Sequence, residues 1–323
     1  MASETSSSVY CVVLNWNQPE MTAECLRSLA AQDYPAFHVL LVDNGSEDDS
    51  VALLREQFPW VTFLELPQNV GYSAGNNAGI RHAIETEADY VFLLNNDTEV
   101  DPHMLTRLME VARSDPEIGV VGPTMYCADP PGLIWGGDNE IEWRRARTIR
   151  HRFGEIDDGQ QLQHGVPRQV DYIDTCAVLL KREVFEDIGL MDSRYFINFD
   201  DLDLNVRARR AGYHIVYVPS ARMWHKVSAT MGLASPATTY YMARNALLFF
   251  WSHAPGIWKV LAPLQVVWRN LLNVAAWTIR LRCRDESYRR RRSAKLLATR
   301  DFFLRRFGRM GRDVARACYG DDS

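Results

Sequence analysis

Carboxylate and amide side chains recur directly after short apolar runs in the first hundred residues. Three such clusters are present: Asn15-Trp16-Asn17, Asp43-Asn44 and Asn95-Asn96-Asp97. An acid just past a buried strand is well placed to bind a hard divalent cation, which keeps several waters and bridges pyrophosphate oxygens. Asp97 suits that chemistry, although a loop aspartate that caps the next helix is an equal explanation. Asp43 and Asn44 can hydrogen-bond a base or a ribose, with a tight turn as the alternative.

A loop rich in glycine and asparagine spans Asn69–Gly79. Its glycines, Gly75 among them, permit close approach of the backbone to a ligand, and the helix that follows offers free N–H groups to an anion. Asn69 and Asn77 add polar side chains to the same loop. The pattern is not G-x-G-x-x-G and it follows the third strand, so the dinucleotide fingerprint is absent.

Three carboxylates crowd together at Asp200, Asp201 and Asp203. Crowding of like charges raises at least one proton affinity, which suits a general base acting on an alcohol. The acid-rich start of the following helix explains part of the same pattern. His225 follows a later strand, and a lone histidine is more often structural than a ligand; a metal role gains weight only because the chain also carries Asp97.

The elements that must position these residues alternate between strand and helix. Short apolar runs typical of buried parallel strands occur at Val9–Leu14, His38–Val42, Val61–Leu64 and Tyr90–Leu94. Helical patterns separate them at Pro19–Ala31, 46–58 and Gly75–Glu85. We therefore predict an α/β fold with a Rossmann-like, mainly parallel sheet and flanking helices. Because ligands sit beyond the carboxyl ends of such strands, we expect the three polar clusters to share one edge.

The remainder of the chain is organised less regularly. Residues 127–170 are predicted to form long loops or a β-excursion. Later elements are expected at Arg182–Ile188, Leu204–Ala211, His214–Val218, Thr238–Trp251 and Leu264–Ile279. The predicted domains are a disordered tail (1–8), a catalytic domain (9–235, with halves 9–125 and 126–235) and a helical, basic C-terminal extension (236–323).

Composition limits the class of protein. The chain has 323 residues, a formal charge of −5, 47% hydrophobic and 24% charged residues, which excludes a disordered or membrane-embedded chain. Its six cysteines form no CxxC pair and fit a reducing compartment, so a cytoplasmic location is expected.

The C-terminal extension carries its own signal. Residues 280–316 hold 14 basic and 4 acidic residues, a net charge of +10. With Trp258, Trp268 and Trp277 upstream, this pattern indicates either a peripheral anchor on an anionic membrane surface or a helical homo-oligomer interface. No recognised motif favours nucleic acid.

Taken together, the motifs resemble those of family 2 glycosyltransferases of the GT-A fold, which are inverting enzymes, and in particular the rhamnosyltransferase-like branch. The resemblance covers about Val9–Thr230. It rests on the segments Val12–Asn17, Val42–Ser46, Asn69–Gly79, Leu93–Asp97 and Phe199–Leu204 in that order.

The resemblance implies transfer of a sugar from a nucleotide-diphosphate donor to an alcohol, assisted by Mg²⁺ or Mn²⁺. The donor-binding residues that it implies are Asn15, Asn17, Asp43, Asn44, Asn69, Gly75, Asn77, Asn95 and Asn96. Asp43 corresponds to the acid that holds the nucleoside. Asp97 corresponds to the last acid of the D-x-D metal motif, Asn95 stands where that motif often has its first acid, and His225 matches a histidine near the metal or diphosphate.

The acceptor side is implied by the same resemblance. Asp201 matches the second acid of the family's Glu-Asp catalytic pair and would be the general base, with Asp200 in place of the glutamate. Asp174, Cys176 and Asp203 are expected near the acceptor, with Cys176 where a glycine is common. A glycan or lipid-linked acceptor is expected, and dTDP-rhamnose is the donor suggested by the rhamnosyltransferase-like motifs.

Two other functions compete with this interpretation. The replacements at Asn95 and Asp200 are compatible with a catalytically silent subunit that binds a sugar nucleotide or acts as a scaffold in a glycan-assembly complex. A nucleotidyltransferase would need a glycine-rich, basic loop after the first strand, and Asn15-Trp16-Asn17-Gln18 is not one.

Overall fold

The computed structural model describes residues 7–157, 159, 165–226, 235–279 and 286–320. Three predicted features lie partly outside these ranges: the tail 1–8, the motif region near Thr230, and the basic segment, of which Arg280, Arg282 and Arg284 are not described. The chain forms two compact units that interleave along the sequence. Unit 1 comprises Met1–Glu140, Arg150–Met191 and Leu204–Val227, and unit 2 comprises Ile141–Ile149, Asp192–Asp203 and Ser228–Ser323.

A mixed, mainly parallel sheet is the centre of unit 1. The strands of the chain are β1 (Val9–Asn15), β2 (Phe37–Asp43), β3 (Thr62–Glu65), β4 (Tyr90–Asn95), β5 (Thr98–Val100), β6 (Ile118–Cys127), β7 (Ile134–Gly136), β8 (Asn139–Glu142), β9 (Arg147–Arg150), β10 (Arg168–Gln169), β11 (Ala177–Lys181) and β12 (His214–His225). The main sheet has the order β10-β12-β6-β11-β4-β1-β2-β3, with β5 and β7 added at β12 and β6, while β8 and β9 pair separately. β1 to β4 run parallel, and β11 is antiparallel to its neighbours β4 and β6.

Helices cover both faces of this sheet. They are α1 (Pro19–Ala30), α2 (Ser50–Gln57), α3 (Tyr72–Glu85), α4 (Met104–Ala112), α5 (Arg182–Ile188) and α6 (Asp200–Arg210). One apolar layer joins alternate residues of β1, such as Cys11 and Val13, to α1 and α4. The other joins Val12 and its neighbours to α3, α5 and the part of α6 that belongs to unit 1. The alternation follows from the pleat, because successive strand residues point to opposite faces.

Glycines in α3 allow that helix to pack closely on β1. A Cβ built at Gly79 would lie 2.3 Å from Cγ1 of Val12, and one at Gly75 would lie 2.7 Å from Cδ1 of Leu14. The sequence suggested Gly75 as a point where backbone approaches a ligand. In the structure Gly75 packs closely against the side chain of Leu14, and its predicted place beside a ligand stays a prediction.

Unit 2 is mainly helical. It contains α7 (Pro236–His253), α8 (Trp258–Ile279), α9 (Glu286–Phe303) and α10 (Arg312–Tyr319). Its apolar centre brings Tyr240 and Tyr241 of α7 against alanines of α9 and against Val314 and Cys318 of α10. Among the residues that the structure describes, no helix combines the length and apolar character needed to cross a bilayer.

The predicted α/β fold with a C-terminal helical extension is confirmed, with changes at element boundaries. α3 begins at Tyr72 rather than Gly75, and α6 begins at Asp200 rather than Leu204, because side chains that favour loops also favour first helical turns. β12 continues to His225 beside β5, well past the expected end at Val218. Within 127–170 the described residues form the short strands β7 to β10, as a β-excursion would, while α4 and β6 were not predicted.

The packing of α3 on β1 generates a prediction. We expect Gly79→Ala to lower the free energy of unfolding by about 1–3 kcal/mol, because the added methyl group overlaps a buried, β-branched Val12. Chemical denaturation measures the loss. In the double variant with Val12→Ala the two effects should be less than additive, since the smaller side chain makes room for the methyl group. Full additivity would contradict this account of the glycine.

Candidate active site

The carboxyl ends of three parallel strands lie side by side in unit 1. Asn15 of β1 is paired in register with Asp43 of β2, and Leu14 is paired with Asn95 of β4. The three predicted polar clusters therefore meet at one edge of the sheet, as the topology of parallel strands requires. Asn17 lies just beyond this edge, exposed and with φ of 53°, and its side-chain oxygen accepts from the backbone N–H of Glu47 at 2.8 Å.

Asp43 is buried and held by three hydrogen bonds. Its Oδ1 accepts from Nδ2 of Asn15 at 2.9 Å and from Oγ of Ser46 at 2.6 Å, and its Oδ2 accepts from the backbone N–H of Ser46 at 2.8 Å. An ionised carboxylate has about four acceptor positions. Within the described ranges, one position on Oδ2 is thus left for a donor from a ligand.

The hydrogen-bond chain continues from Asn15 to the end of β4. Oδ1 of Asn15 accepts from the hydroxyl of Thr22 at 2.8 Å, and the Thr22 oxygen accepts from Nδ2 of Asn96 at 2.9 Å. Because all these groups are buried, the chain fixes the side chains of Asp43 and Asn96 relative to one another.

Asn44 fixes the loop ahead of α3. Its Oδ1 accepts from the backbone N–H of Val70 at 3.0 Å, and its Nδ2 donates to Oδ1 of Asn69 at 3.3 Å. Asn77 faces elsewhere: it exchanges two hydrogen bonds with the backbone of Met191, at 2.8 and 3.0 Å. These two bonds give Asn77 a structural role, and its predicted contact with the donor stays a prediction.

Asn95 connects this edge to the segment before β11. Its side-chain oxygen accepts from the hydroxyl of Tyr72 at 2.8 Å, and the same hydroxyl lies 2.9 Å from the carbonyl oxygen of Thr175. The backbone N–H of Asn95 donates to the carbonyl of Cys176 at 2.9 Å. Sequence reasoning did not single out Tyr72, although its place inside the asparagine-rich loop was a usable signal.

Asp174 lies buried in the same segment. It accepts from Nη2 of Arg150 at 2.6 Å and from Nδ2 of Asn139 at 2.8 Å. The attraction of Asp174 raises the pKa of Arg150 further above its usual value, against the opposing effect of burial. The Sγ of Cys176 lies 2.9 Å from Sδ of Met125 and is largely buried.

Asp97 and His225 meet because β5, which follows Asp97, pairs with the end of β12. In that register Thr98 lies opposite His225. Oδ1 of Asp97 lies 3.0 Å from Nε2 of His225, and both side chains are about nine-tenths buried. Within the described part of the chain, neither that oxygen nor either ring nitrogen has a hydrogen bond of acceptable geometry.

These unsatisfied buried atoms suit a divalent cation. A carboxylate oxygen and an imidazole nitrogen are ligands that Mn²⁺ and related cations accept, and substrate phosphates commonly complete such a site. Asp97 and His225 would supply the protein ligands, because their ligand atoms have no hydrogen bond in the described part of the chain, whereas the side-chain oxygen of Asn95 accepts from Tyr72.

A second histidine–carboxylate group lies at the opposite end of the sheet. Asp115, Glu117 and His214 have ligand atoms within 4.8 Å of one another, where β6 and β12 begin. All three are at least partly exposed, and exposed acidic groups of this kind are common without a metal. The group is distant along the strands from Asp97 and serves as an internal comparison.

The three clustered acids belong to the first turn of α6, in unit 2. Asp200 is buried, and the partly exposed Asp201 accepts at Oδ1 from the backbone N–H of Leu202 at 2.8 Å. Asp203 is buried, with Nε2 of His253 at 2.6 Å and the hydroxyl of Tyr195 at 3.4 Å from its Oδ1. Burial and the nearby Asp203 raise the pKa of Tyr195 well above its usual value. Asp203 is therefore engaged inside unit 2, while its predicted contact with an acceptor stays a prediction.

Comparison with known proteins identifies the family. Residues 10–189 match the profile described as Glycosyl transferase family 2, which is more than half of the chain. The chain therefore belongs to glycosyl transferase family 2 and is a glycosyltransferase.

The chain is similar to proteins that are named as transferases of two different sugars. The chain is 28% identical over 268 residues to N-acetylglucosaminyl-diphospho-decaprenol L-rhamnosyltransferase of Mycobacterium tuberculosis (strain CDC 1551 / Oshkosh), covering 76% of this chain and 84% of the relative. It is 28% identical over 212 residues to galactofuranosyltransferase GlfT1 of the same strain, covering 64% and 66% of the two chains.

Solved structures share the fold at low identity. The mannosyltransferase PcManGT from Pyrobaculum calidifontis, in complex with GDP-Man and Mn²⁺, matches with a TM-score of 0.57 and 16% identity over 94% of this chain and 89% of that one. GalNAc-T7 with UDP, GalNAc and Mn²⁺ matches with a TM-score of 0.60 and 16% identity over 78% of this chain and 49% of that one, so this chain spans about half of its length. The fold is of the GT-A type.

The Asp97–His225 pair generates a prediction. We expect Asp97→Asn and His225→Gln each to weaken binding of Mn²⁺ in the presence of UDP or dTDP by about 10-fold or more, because each removes a ligand atom. Isothermal titration measures the affinity. His214→Gln, at the other histidine–carboxylate group, is the matched control and should leave it unchanged. Equal losses at His214 and His225 would contradict the assignment.

Proposed function

We propose that this protein transfers a sugar from a nucleotide-diphosphate donor to a hydroxyl of a glycan or lipid-linked acceptor, with inversion at the anomeric carbon. The observation that carries the proposal is the edge formed by β1, β2 and β4, where Asp43 keeps a free acceptor position and the Asp97–His225 pair keeps unsatisfied ligand atoms. Asp43 can accept from an N–H or O–H donor, and Asp97 with His225 can bind a cation. A nucleoside diphosphate meets both needs, because its base and ribose carry such donors and its phosphates bind a divalent cation.

Each part of this edge has a proposed task. Asp43 accepts a hydrogen bond from the base or the ribose, and Asn15 holds its carboxylate in place. Asn44 and Asn69 fix the loop that leads into α3, and Asn96 is fixed by Thr22. When bound, a divalent cation at Asp97 and His225 neutralises charge on the leaving diphosphate.

Asp201 is proposed as the general base on the strength of its motif and its partly exposed position in the first turn of α6. It accepts the proton of the acceptor hydroxyl while that oxygen forms a bond to the anomeric carbon. The bond from this carbon to the diphosphate oxygen breaks on the opposite face. Asp200 lies beside it in the motif and is buried, so we give it a supporting role.

Rhamnose is the first donor sugar to test, because a relative is named as an L-rhamnosyltransferase; galactofuranose is second, from the name of the other. A thermal-shift panel of dTDP-rhamnose, UDP-galactofuranose and UDP-GlcNAc with Mn²⁺ or Mg²⁺ selects among them. The same panel with chelator tests the cation, since we expect the donor-induced shift to shrink without it.

The assignment of Asp201 generates a prediction. We expect Asp201→Asn to lower transfer by about 10²–10⁴-fold, because an amide cannot accept the proton, while nucleotide affinity stays near that of the wild type. Radiolabelled sugar transfer and nucleotide titration measure the two quantities. Asp313→Asn, an exposed acid of the same unit, is the control. If Asp201→Asn transferred sugar at the wild-type rate, Asp201 would not be the general base. If the purified wild type bound donor but transferred no sugar, the catalytically silent subunit would be the better interpretation.

The C-terminal helices add a proposed site of attachment. On α8, Val260, Leu264, Trp268, Leu271 and Leu272 share one face and are all exposed. The polar Asn270 is buried instead, and Arg269 donates to the carbonyl of Ala146 at 3.0 Å within unit 2. α8 therefore carries an exposed apolar stripe in addition to a buried face that includes Ala262 and Val266.

Basic residues surround the end of the same helix. The guanidinium of Arg291 and the ammonium of Lys295 lie 5.2 and 5.0 Å from the ring of Trp277, and Arg292 lies 3.5 Å from the hydroxyl of Thr278. An exposed apolar stripe with adjacent positive charge fits an anionic lipid surface, which is where a lipid-linked acceptor would be found. A second copy of the chain is the alternative occupant of this face.

The α8 face generates a prediction. We expect the wild type to float with liposomes that contain anionic lipid, and the double variant Leu264→Ser, Trp268→Ser to lose most of that binding because it removes apolar area from the stripe. Trp60→Ser, at an exposed tryptophan of unit 1, is the control. A wild type that does not float but elutes as a dimer, with the double variant monomeric, would assign the face to a second copy.

A further inference from the structure

The segment that leads into α6 has an unusual backbone. Phe196, Asn198 and Phe199 have φ values of 67°, 65° and 69°, in the left-handed region that residues other than glycine rarely adopt. Asp200 and Asp201 follow this segment directly. A strained conformation of this kind persists only where surrounding contacts hold it, and such strain is concentrated at functional sites.

Two neighbouring residues of α7 supply those contacts. The Nδ2 group of Asn245 donates to the carbonyl oxygens of Tyr195, Ile197 and Asn198, at 2.9, 2.8 and 3.0 Å. Nη2 of Arg244 donates to the carbonyl of Tyr195 at 3.0 Å and to that of Arg194 at 3.2 Å. The carbonyl groups of the strained segment are thus held from one side by a single dipeptide.

Arg244 is itself fixed and fully buried. Its Nε donates to Oδ1 of Asn245 at 3.0 Å, its Nη1 donates to the carbonyl of Gly308 at 2.7 Å, and the rings of Tyr240 and Tyr241 lie 5.2 and 5.1 Å from the guanidinium carbon. In the part of the chain that the structure describes, Arg244 has no carboxylate partner. A fully buried guanidinium that is balanced by neutral acceptors and tyrosine rings instead of a carboxylate is costly, and an apolar side chain would avoid that cost.

The first turn of α6 has a second attachment. His253, at the end of α7, lies 2.6 Å from Asp203, and the ring of Phe196 stacks on Tyr241 at 5.2 Å between ring centres. α7 therefore holds both the segment before the acid pair and Asp203, two residues after it.

We propose that Arg244 and Asn245 are positioning residues for the acid pair: by fixing the carbonyl groups of residues 194–198 they set the direction of Asp200 and Asp201. The inference rests on the proposed function, in which Asp201 is the general base. Because both side chains are fully buried, loss of their hydrogen bonds is expected to lower the rate of transfer and to leave donor binding unchanged.

The test uses the full-length protein and four variants. Asn245→Asp keeps the shape of the side chain but removes its donors. Arg244→Gln removes the charge, Arg244→Lys is the conservative change, and Arg269→Gln is the control. The control removes an arginine that also donates to backbone carbonyls of unit 2, at Arg145 and Ala146. We expect kcat to fall about 10²-fold in Asn245→Asp and Arg244→Gln, less in Arg244→Lys, and no more than about 3-fold in the control, with nucleotide Kd within about 3-fold throughout.

Hydrogen–deuterium exchange of the peptide that covers residues 194–201 provides an independent readout, and faster exchange is expected in the first two variants alone. Wild-type kcat in Asn245→Asp and Arg244→Gln would overturn the inference, as would losses of kcat that are matched by equal losses of nucleotide affinity. If Arg244→Gln fails to fold, Arg244→Lys and Asn245→Asp carry the test. If the wild type itself transfers no sugar, the proposed function fails. The positioning role is tested separately by hydrogen–deuterium exchange: unchanged exchange of residues 194–201 in the variants would overturn it.

Discussion

The structure of unit 1 depends on one constraint: the polar groups at the carboxyl ends of β1, β2 and β4 are buried and must satisfy one another. Asn15 stands in register with Asp43, and the hydrogen bonds from Asp43 through Asn15 and Thr22 to Asn96 meet that requirement. Because buried amides and carboxylates are costly without partners, the register of the strands and the geometry of the site are fixed together. The acceptor position left on Asp43 is a consequence of this network.

The local pattern of the sequence was sufficient to predict this part. Apolar runs of strand length end where the polar clusters begin, and parallel topology then brings the ends of the runs to one edge. The family resemblance predicted that Asp97 and His225 would both lie near the metal or the diphosphate. The structure adds the physical cause of their contact, which is the pairing of β5 with the end of β12.

What the sequence did not predict depends on contacts between distant segments. The close packing of Gly75 on Leu14 and of Gly79 on Val12 could not be predicted from the loop motif that contains both glycines. Asn77 was predicted from its loop alone, and its two hydrogen bonds to the backbone of Met191, more than a hundred residues away, were not. Arg244 and Asn245 stand between apolar residues of α7 and are visible in the sequence. Their carbonyl partners are about fifty residues away, and no local pattern identifies them.

The interleaving of the two units limits how the gene for such a protein can be shortened or recombined. A chain that stopped at residue 235 would keep the whole central sheet, yet Asp192–Asp203 would lose Arg244, Asn245 and His253. The acids in the first turn of α6 and the helices that follow thus belong to one structural unit. Exchange of the C-terminal helices between distant relatives would be tolerated only where the incoming helix brings an equivalent pair of donors to the same carbonyl groups.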